Sequence, residues 1–412
     1  MNRALEAALG EPIGRWQRAE GPATDVAVSS RVRLARNVAD LPFPPRMEAA
    51  HAEALWGRVE QGSAAMSAEL GPVTLVRLAE LAPLDRQVLV EKHLISPQHA
   101  QQGRGGLLLR ADEQLSAMVL EEDHLRLQVL FPGLQLTAAW DLGRRFDDAL
   151  EQSIDWAFSP ELGYLSTCPT NVGTGLRASA MLHLPALCWT GGIAPLLAGL
   201  GKVGVVARGL YGEGSAAGGN LFQVSNQTTL GQGEPDLVGH LEAVAREIVA
   251  HERSAREALL AQRRAALEDR VWRAYGLLSS ARLLSSAEAL QLLSDVRLGG
   301  DLLVLPPLRA DRWAELLVLT RSGFLQRRGG EVPASGRDAR RAEMVRRTLA
   351  ASLVAAATPP DAGRPPAGRS VRCPDPDGAG APGPGQAKPG QEDAPDAGIR
   401  AEGDGTAGAS LR

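Results

Sequence analysis

The chain has 412 residues, 44 of them lysine or arginine and 48 aspartate or glutamate, for a formal charge of −4. That length accommodates two or three domains and a large core, and the near balance of charge weighs against a general nucleic-acid binder while permitting local basic clusters. The three cysteines, Cys168, Cys188 and Cys373, lack metal-ligand spacing. With no signal-like apolar segment near the N-terminus and no run approaching twenty apolar residues, the expectation is a reduced, cytoplasmic protein that neither is secreted nor spans a membrane.

Residues 2 to 19 read as a short helix with Leu5, Leu9 and Ile13 on one side. From Val26 the chain reads as extended, which puts Arg31 and Arg33 on one strand face; a solvated basic edge is the plain alternative. A helix is predicted over 47–61 and a strand over 73–78, with a mixed segment over 84–95. Apolar runs at 107–110, 117–120 and 125–131 suit an antiparallel sheet better than βαβ alternation. Residues 137–154 form an amphipathic helical pattern.

Next comes Leu165 to Pro185, which sets Cys168 and Gly173-Thr174-Gly175 before an apolar run. The run reads as a helix over 176–187, so the loop could present a thiolate or backbone donors at a helix N-terminus. A packed, inert cysteine is the alternative, and the segment lacks the Gly-Lys-Ser/Thr ending of a Walker loop. A helix is also predicted at 193–200, with strands at 204–208 and 221–228 flanking the glycine-rich 209–214, a segment able to close over a ligand. A long helix starts at Asp236 and could reach Arg273. Helical patterns then follow at 287–293, 312–319 and 337–349. From Pro359 onward ten prolines and eleven glycines fall in 54 residues without an aromatic side chain, a composition expected to stay disordered. The predicted organisation is a catalytic domain over 1–255, a helical domain over 256–352 and a tail over 353–412.

Two carboxylate groups stand out. Glu121-Glu122-Asp123-His124 lies between strand-like runs, where an extended chain would point Glu122 and His124 together and a polar hairpin tip is the plain reading. Glu213 is isolated among glycines. Arg31, Arg33, Arg126, Arg177 and Arg208 each adjoin a predicted turn or strand end, and converging guanidinium groups would grip phosphate oxygens through charged hydrogen bonds.

Taken in order, Val28-Ser29-Ser30-Arg31-Val32-Arg33, Glu121 to Arg126, Cys168 to Arg177 and Arg208 to Glu213 resemble the motifs of the ATP:guanidino phosphotransferases, and within them the protein arginine kinases. The likeness covers about residues 15 to 350, without the additional N-terminal helical domain of small-guanidine kinases. It implies an α+β fold: a central antiparallel sheet flanked by helices, followed by a C-terminal helical domain. It also implies that Ser29, Ser30, Arg31, Arg33, Arg126, Arg177, Ser179 and Arg208 contact ATP, with His93 near the base. Glu122 and Glu213 would orient and deprotonate the guanidinium beside Cys168. Mg²⁺ would be held mainly by nucleotide oxygens, with no dedicated protein metal site.

The resemblance further implies protein substrates with accessible arginines, a homodimer formed through the helical domain, and as partners the activator McsA, the repressor CtsR and the ClpC-ClpP protease. Arg337-Asp338-Ala339-Arg340-Arg341-Ala342 resembles an allosteric phosphoarginine pocket formed by Arg337, Asp338 and Arg341, an ordinary charged helix start being the alternative. Leu120 departs from the asparagine of many relatives. A small-guanidine kinase and a catalytically silent phosphoarginine-binding adaptor are the competing functions.

Overall fold

The computed structural model describes residues 3–18, 20–209, 218–330 and 333–357. Its centre is an antiparallel sheet of eight strands: β1 (Ala27–Arg36), β2 (Val73–Arg77), β3 (Gly106–Arg110), β4 (Leu115–Val119), β5 (Leu125–Pro132), β8 (Leu176–His183), β9 (Val205–Gly209) and β10 (Leu221–Asn226). They lie in the order β2-β3-β4-β5-β1-β8-β10-β9. A two-strand hairpin, β6 (Phe158–Ser159) and β7 (Gly163–Tyr164), stands apart from it.

Side-chain alternation divides the sheet's two faces. On one, Val32 and Leu34 of β1, Leu127 and Val129 of β5 and Ala178, Ala180 and Leu182 of β8 share a core with helix α5 (Leu136–Glu151) and helix α8 (Glu234–Gln262). Helix α2 (Ala49–Leu70) packs beside α5 and enters the same core through Leu55, Val59, Met66 and Leu70. The opposite face is covered in two places. Helix α1 (Arg3–Gly10) and helix α3 (Pro83–Glu91) cover the β2–β4 end, together with Val318 and Phe324 from the C-terminal helices. Val28, Met181 and Leu221 instead meet a helical core built from α9 (Arg264–Ser280), α10 (Ser286–Asp301), α11 (Ala310–Leu319) and α13 (Ala334–Ala357). Between these two covers the middle of the face stays open, and its side chains are basic. The short helices α4 (Pro97–Gln102), α6 (Pro185–Thr190), α7 (Ile193–Leu200) and α12 (Ser322–Gly329) complete the set.

Three sequence expectations change. The run after Gly175 is strand β8, with the helix starting only at Pro185. Alternation of Leu176, Ala178, Ala180 and Leu182 toward the α5 core outweighs the helix propensity of its alanines and leucines. The helix expected over 2–19 ends at Gly10. The long helix predicted from Asp236 breaks at Arg263, where φ −133° and ψ 31° separate α8 from α9. Among the described residues no helix is long and apolar enough to cross a membrane.

One buried ion pair fixes the α3 end of the fold. Lys92 is fully buried; its Nζ donates to Glu113 Oε1 at 2.5 Å and to the carbonyls of Ala8 and Glu11 at 2.8 and 3.0 Å. A charge sealed from water is stable only while partnered. Lys92→Met therefore leaves Glu113 uncompensated and lowers unfolding free energy by about 3–5 kcal/mol in chemical denaturation. Lys92→Met with Glu113→Leu should recover most of it, and a double variant as unstable as the single would contradict this role.

Candidate active site

The register builds the basic cleft. Arg33 lies opposite Gln128 of β5 and Arg177 of β8, Arg31 opposite Ser179, Ala35 opposite Arg126, and Arg208 opposite Gln223. Directly opposed residues in an antiparallel pair share a face, so Arg31, Arg33, Arg126, Arg177 and Arg208 project from one side of the sheet into contiguous hollows. Ser29 and Ser179 belong to the same row, and both line the hollow beside Arg31. Ser30 does not. Its Oγ donates to Gly133 O at 2.9 Å and accepts from Gln135 N at 2.7 Å, on the far face where the chain enters α5.

The hydrogen bonds of Arg31 and Arg177 go to neutral partners. Arg31 reaches neutral partners, Ser179 Oγ at 3.3 Å and Gln223 Oε1 at 2.7 Å, and burial together with Arg126 pushes its pKa down to about 10. The Arg31 charge, then burial, then Arg126 hold Arg33 well below the usual arginine range. Its buried Nε has no hydrogen-bond partner. Arg177 donates to the carbonyls of Thr170 and Gln227, both at 2.8 Å. Like charges gathered on a partly desolvated surface are strained by one another and relieved by an anion.

His93 closes one end of the cleft. Its carbonyl accepts from Gln128 Nε2 at 2.9 Å, its ring meets Trp16 edge-on at 6.2 Å, and its φ is +57°. Burial, then the charges of Arg31 and Arg321, push its pKa down to about 3. With Leu130, Met181 and Val318 it walls a half-apolar hollow leading to Arg31. Arg321, the residue preceding α12, lines this hollow and the next, and its long distance in sequence from the motifs hid it.

The other end holds Glu122 and Cys168. The 120–124 segment is a turn and not an extended strand, opened by Leu120 at φ +59°. Glu122 and His124 consequently point apart. His124 is buried; its Nδ1 accepts from Val38 N at 2.9 Å, which leaves Nε2 to donate to Pro42 O at 3.0 Å. Asp123 accepts from Asn37 Nδ2, Ser166 Oγ and Thr167 N at 2.6–2.8 Å, stapling the turn to the loop that carries Cys168. Glu121, unassigned from sequence, accepts from Ser96 Oγ at 2.6 Å and pairs with Arg126 at 2.7 Å, while Glu122 reaches the same guanidinium at 3.1 Å with its side chain 42% exposed.

Cys168 precedes only one 3-10 turn, Pro169–Asn171, so no helix terminus acts on it. Its Sγ lies 3.2 Å from Thr170 Oγ1. The glycines beyond it form a packed turn and not an anion nest: Gly173 N donates to Tyr164 O and Thr174 N to Thr229 O. Gly173 has φ +112°, and a Cβ there would fall 2.2 Å from Thr229 O. That close approach is what brings the Cys168 loop and Arg177 to the same wall.

Glu213 lies outside the described residues. Arg337, Asp338 and Arg341 sit away from the cleft on α13. Buried Arg341 donates to Thr320 O and Leu284 O, each at 2.7 Å, and to Asp338 Oδ1 at 2.5 Å. Among the described residues no group of three His, Cys, Asp or Glu is placed to hold a metal ion.

Two family models match in series: the ATP:guanido phosphotransferase C-terminal catalytic domain over residues 57–255, and the protein-arginine kinase McsB C-terminal domain over 264–359. The chain is 50% identical over 341 residues to the protein-arginine kinase of Symbiobacterium thermophilum, covering 82% of this chain and 97% of that protein. The chain belongs to the protein-arginine kinase family. The protein-arginine kinase of Moorella thermoacetica is 52% identical to it over 347 residues, covering 82% of this chain and 98% of the relative. A crystal structure of lombricine kinase has a related fold, with a TM-score of 0.50 and 21% identity over 60% of this chain and 70% of that one. In this protein-arginine kinase the family's ATP use meets an anion-hungry row of arginines.

The Arg31 charge, burial and the Arg126 charge all lower the folded pKa of Arg33, so the fold holds its guanidinium charge at a cost. Arg33→Met should raise unfolding free energy by about 1 kcal/mol and weaken the thermal stabilisation produced by ATP; an unchanged or lower stability without ligand would contradict the repulsion. His93 should remain neutral from about pH 8 down to about pH 5. An imidazole NMR titration with a midpoint near the ordinary value of 6.5 would refute its desolvated environment.

Proposed function

We infer that the chain transfers the γ-phosphoryl group of ATP to arginine side chains of proteins. The observation that supports this most is the convergence of five arginines on one sheet face beside Glu122 and Cys168. The apolar hollow at His93 suits the adenine base, Ser29, Ser179 and Arg31 the adjoining sugar and phosphates, and Arg33, Arg126, Arg177 and Arg208 the transferring group. Ser30 supports this wall from behind and makes no nucleotide contact in the proposal.

A guanidinium is a poor nucleophile because its lone pairs are delocalised and its pKa exceeds about 12. Catalysis therefore needs alignment and proton removal at the attacking nitrogen. Glu122 is exposed at the acceptor end and close enough to Arg126 to be oriented by it. With Glu213, it would hold the substrate guanidinium and accept its proton. Cys168 borders the same space and would tune the acceptor pocket without forming a covalent intermediate. Charge developing on the transferred group is offset by the fixed arginines, which need no reorganisation at the moment of transfer. Mg²⁺ would arrive on the nucleotide's oxygens and add further charge compensation.

The proposed organisation is a catalytic domain over 1–255, a helical dimerisation and phosphoarginine-binding domain over 256–352, and a tail from 353. Arg337, Asp338 and Arg341 would form the phosphoarginine pocket. In it Arg341 already ties α13 to the segment before Arg321, so an occupied pocket would bear on the cleft. By family resemblance the protein would act in the cytoplasm, in stress response and the marking of proteins for degradation, with McsA, CtsR and ClpC-ClpP as partners.

Mass spectrometry under conditions that preserve acid-labile phosphoarginine tests the reaction. With ATP, Mg²⁺ and an unfolded protein substrate, wild type should produce phosphoarginine, and Glu122→Ala and Glu213→Ala should each lose about 10²–10⁴-fold in rate while remaining folded. Equal yields from all three would remove both carboxylates from the mechanism. Transfer to free guanidines alone would show a small-molecule kinase instead.

A further inference from the structure

A second hollow lies behind the Cys168 loop. Gly173 and Thr174 wall it on one side of that loop, while Cys168 to Val172 wall the candidate acceptor pocket on the other; Thr229 and Leu230 line both. The ridge between them is one strand of backbone, pinned by Tyr164 N to Gly173 O at 2.7 Å and Thr174 N to Thr229 O at 2.8 Å. A polypeptide crossing this ridge can place one side chain in the acceptor pocket and its neighbours in the hollow, since consecutive residues of an extended chain advance about 3.3 Å each.

The hollow's surface is unusual in the molecule. Of the large apolar side chains strongly exposed among the described residues, three line it: Phe158 (57%), Leu162 (47%) and Leu230 (55%). Phe158 and Leu162 stand on the β6–β7 hairpin, braced by the Phe158–Tyr164 edge contact at 5.3 Å. Beneath the hairpin, Arg36 stacks 3.5 Å over the Tyr164 ring and bonds Asp147 at 2.6 Å, so the platform is anchored in the core. Four carboxylates border the hollow, Asp147, Asp148, Glu161 and Glu234, against two guanidinium groups, Arg36 and Arg144. A contiguous apolar patch rimmed by net negative charge marks a recognition surface.

We propose that this hollow docks the residues flanking the phosphoacceptor arginine and selects extended segments carrying apolar and basic neighbours. The inference rests on the assignment of the Glu122–Cys168 end of the cleft as the acceptor site. Its occupant is the substrate polypeptide because the hollow continues that site across a shared wall and its charge complements basic sequences. Folded proteins rarely present such segments in extended form, so the surface favours unfolded chains.

The test uses the full chain and three probes: a 20-residue peptide with one central arginine flanked by leucines and lysines, the same peptide with glutamates for lysines, and N-acetyl-arginine amide. Phe158→Asp with Leu162→Asp, neither of which lines the acceptor pocket, should raise KM for the lysine peptide about tenfold with kcat nearly unchanged, and leave turnover of the capped arginine as in wild type. Glu161→Lys should weaken the lysine peptide and improve the glutamate peptide. Binding of the labelled lysine peptide without ATP, read by anisotropy, should fall in parallel with KM. Wild type that binds the peptide but transfers no phosphoryl group supports docking and refutes the kinase reading. Variants that bind and turn over the lysine peptide like wild type overturn docking alone. A KM rise shared equally by the capped arginine, or loss of self-association by light scattering with KM unaltered, also overturns it, the latter showing a surface for a second copy.

Discussion

Mutual repulsion among arginines on one sheet face is the constraint on which the cleft depends. Arg31, Arg33, Arg126 and Arg177 cannot retreat, because their strands are held from the other side by Val32, Leu34, Leu127, Ala178 and Ala180 packed on α5 and α8. A helix would scatter such side chains around its axis, and a loop would let them turn to solvent. The central strands of an eight-stranded sheet do neither, since their spacing is set by backbone hydrogen bonds. The result is a site preorganised for negative charge, which is the property that phosphoryl transfer demands.

Polar side chains fix what the strands alone do not. Asp123 joins the Glu122 turn to the Cys168 loop, and Glu121 holds Arg126 between them. At the other end Gln128 anchors His93 through its carbonyl, while Glu91 accepts from Gly323 N and Phe324 N at 2.7 and 2.9 Å, capping α12 just after Arg321. The C-terminal helices thus form part of the wall at the His93 end of the cleft as well as a separate core. Arg341, bonded to Thr320 O, is the covalent neighbour's tether in that wall.

Much of this was readable in the sequence, for physical reasons that differ by residue. Period-two alternation gave β1 and the Arg31–Arg33 pair, and short apolar runs gave β3, β4 and β5. Convergence of five distant arginines was not readable, because it depends on register between strands far apart in the chain. Strand Leu176–His183 carries helix-forming alanines and leucines, whose propensity obscures its alternation with Arg177, Ser179 and Met181. Ser30 shares a motif with Arg31 yet faces the opposite way, which strand parity could have shown. Glu121 and Arg321 had no local signal, since each acts through a partner remote in sequence.

In the proposed site the arginine row holds the transferring phosphoryl group with an arginine side chain poised at the Glu122–Cys168 end. A diffraction structure of the protein with ADP, Mg²⁺, an arginine peptide and nitrate, a planar anion of the shape of a transferring phosphoryl group, tests it most directly. Adenine is expected against His93, nitrate within hydrogen-bond reach of Arg33, Arg126, Arg177 or Arg208, and the peptide guanidinium beside Glu122. A nucleotide bound elsewhere, or a peptide arginine with its guanidinium outside this cleft, would contradict it.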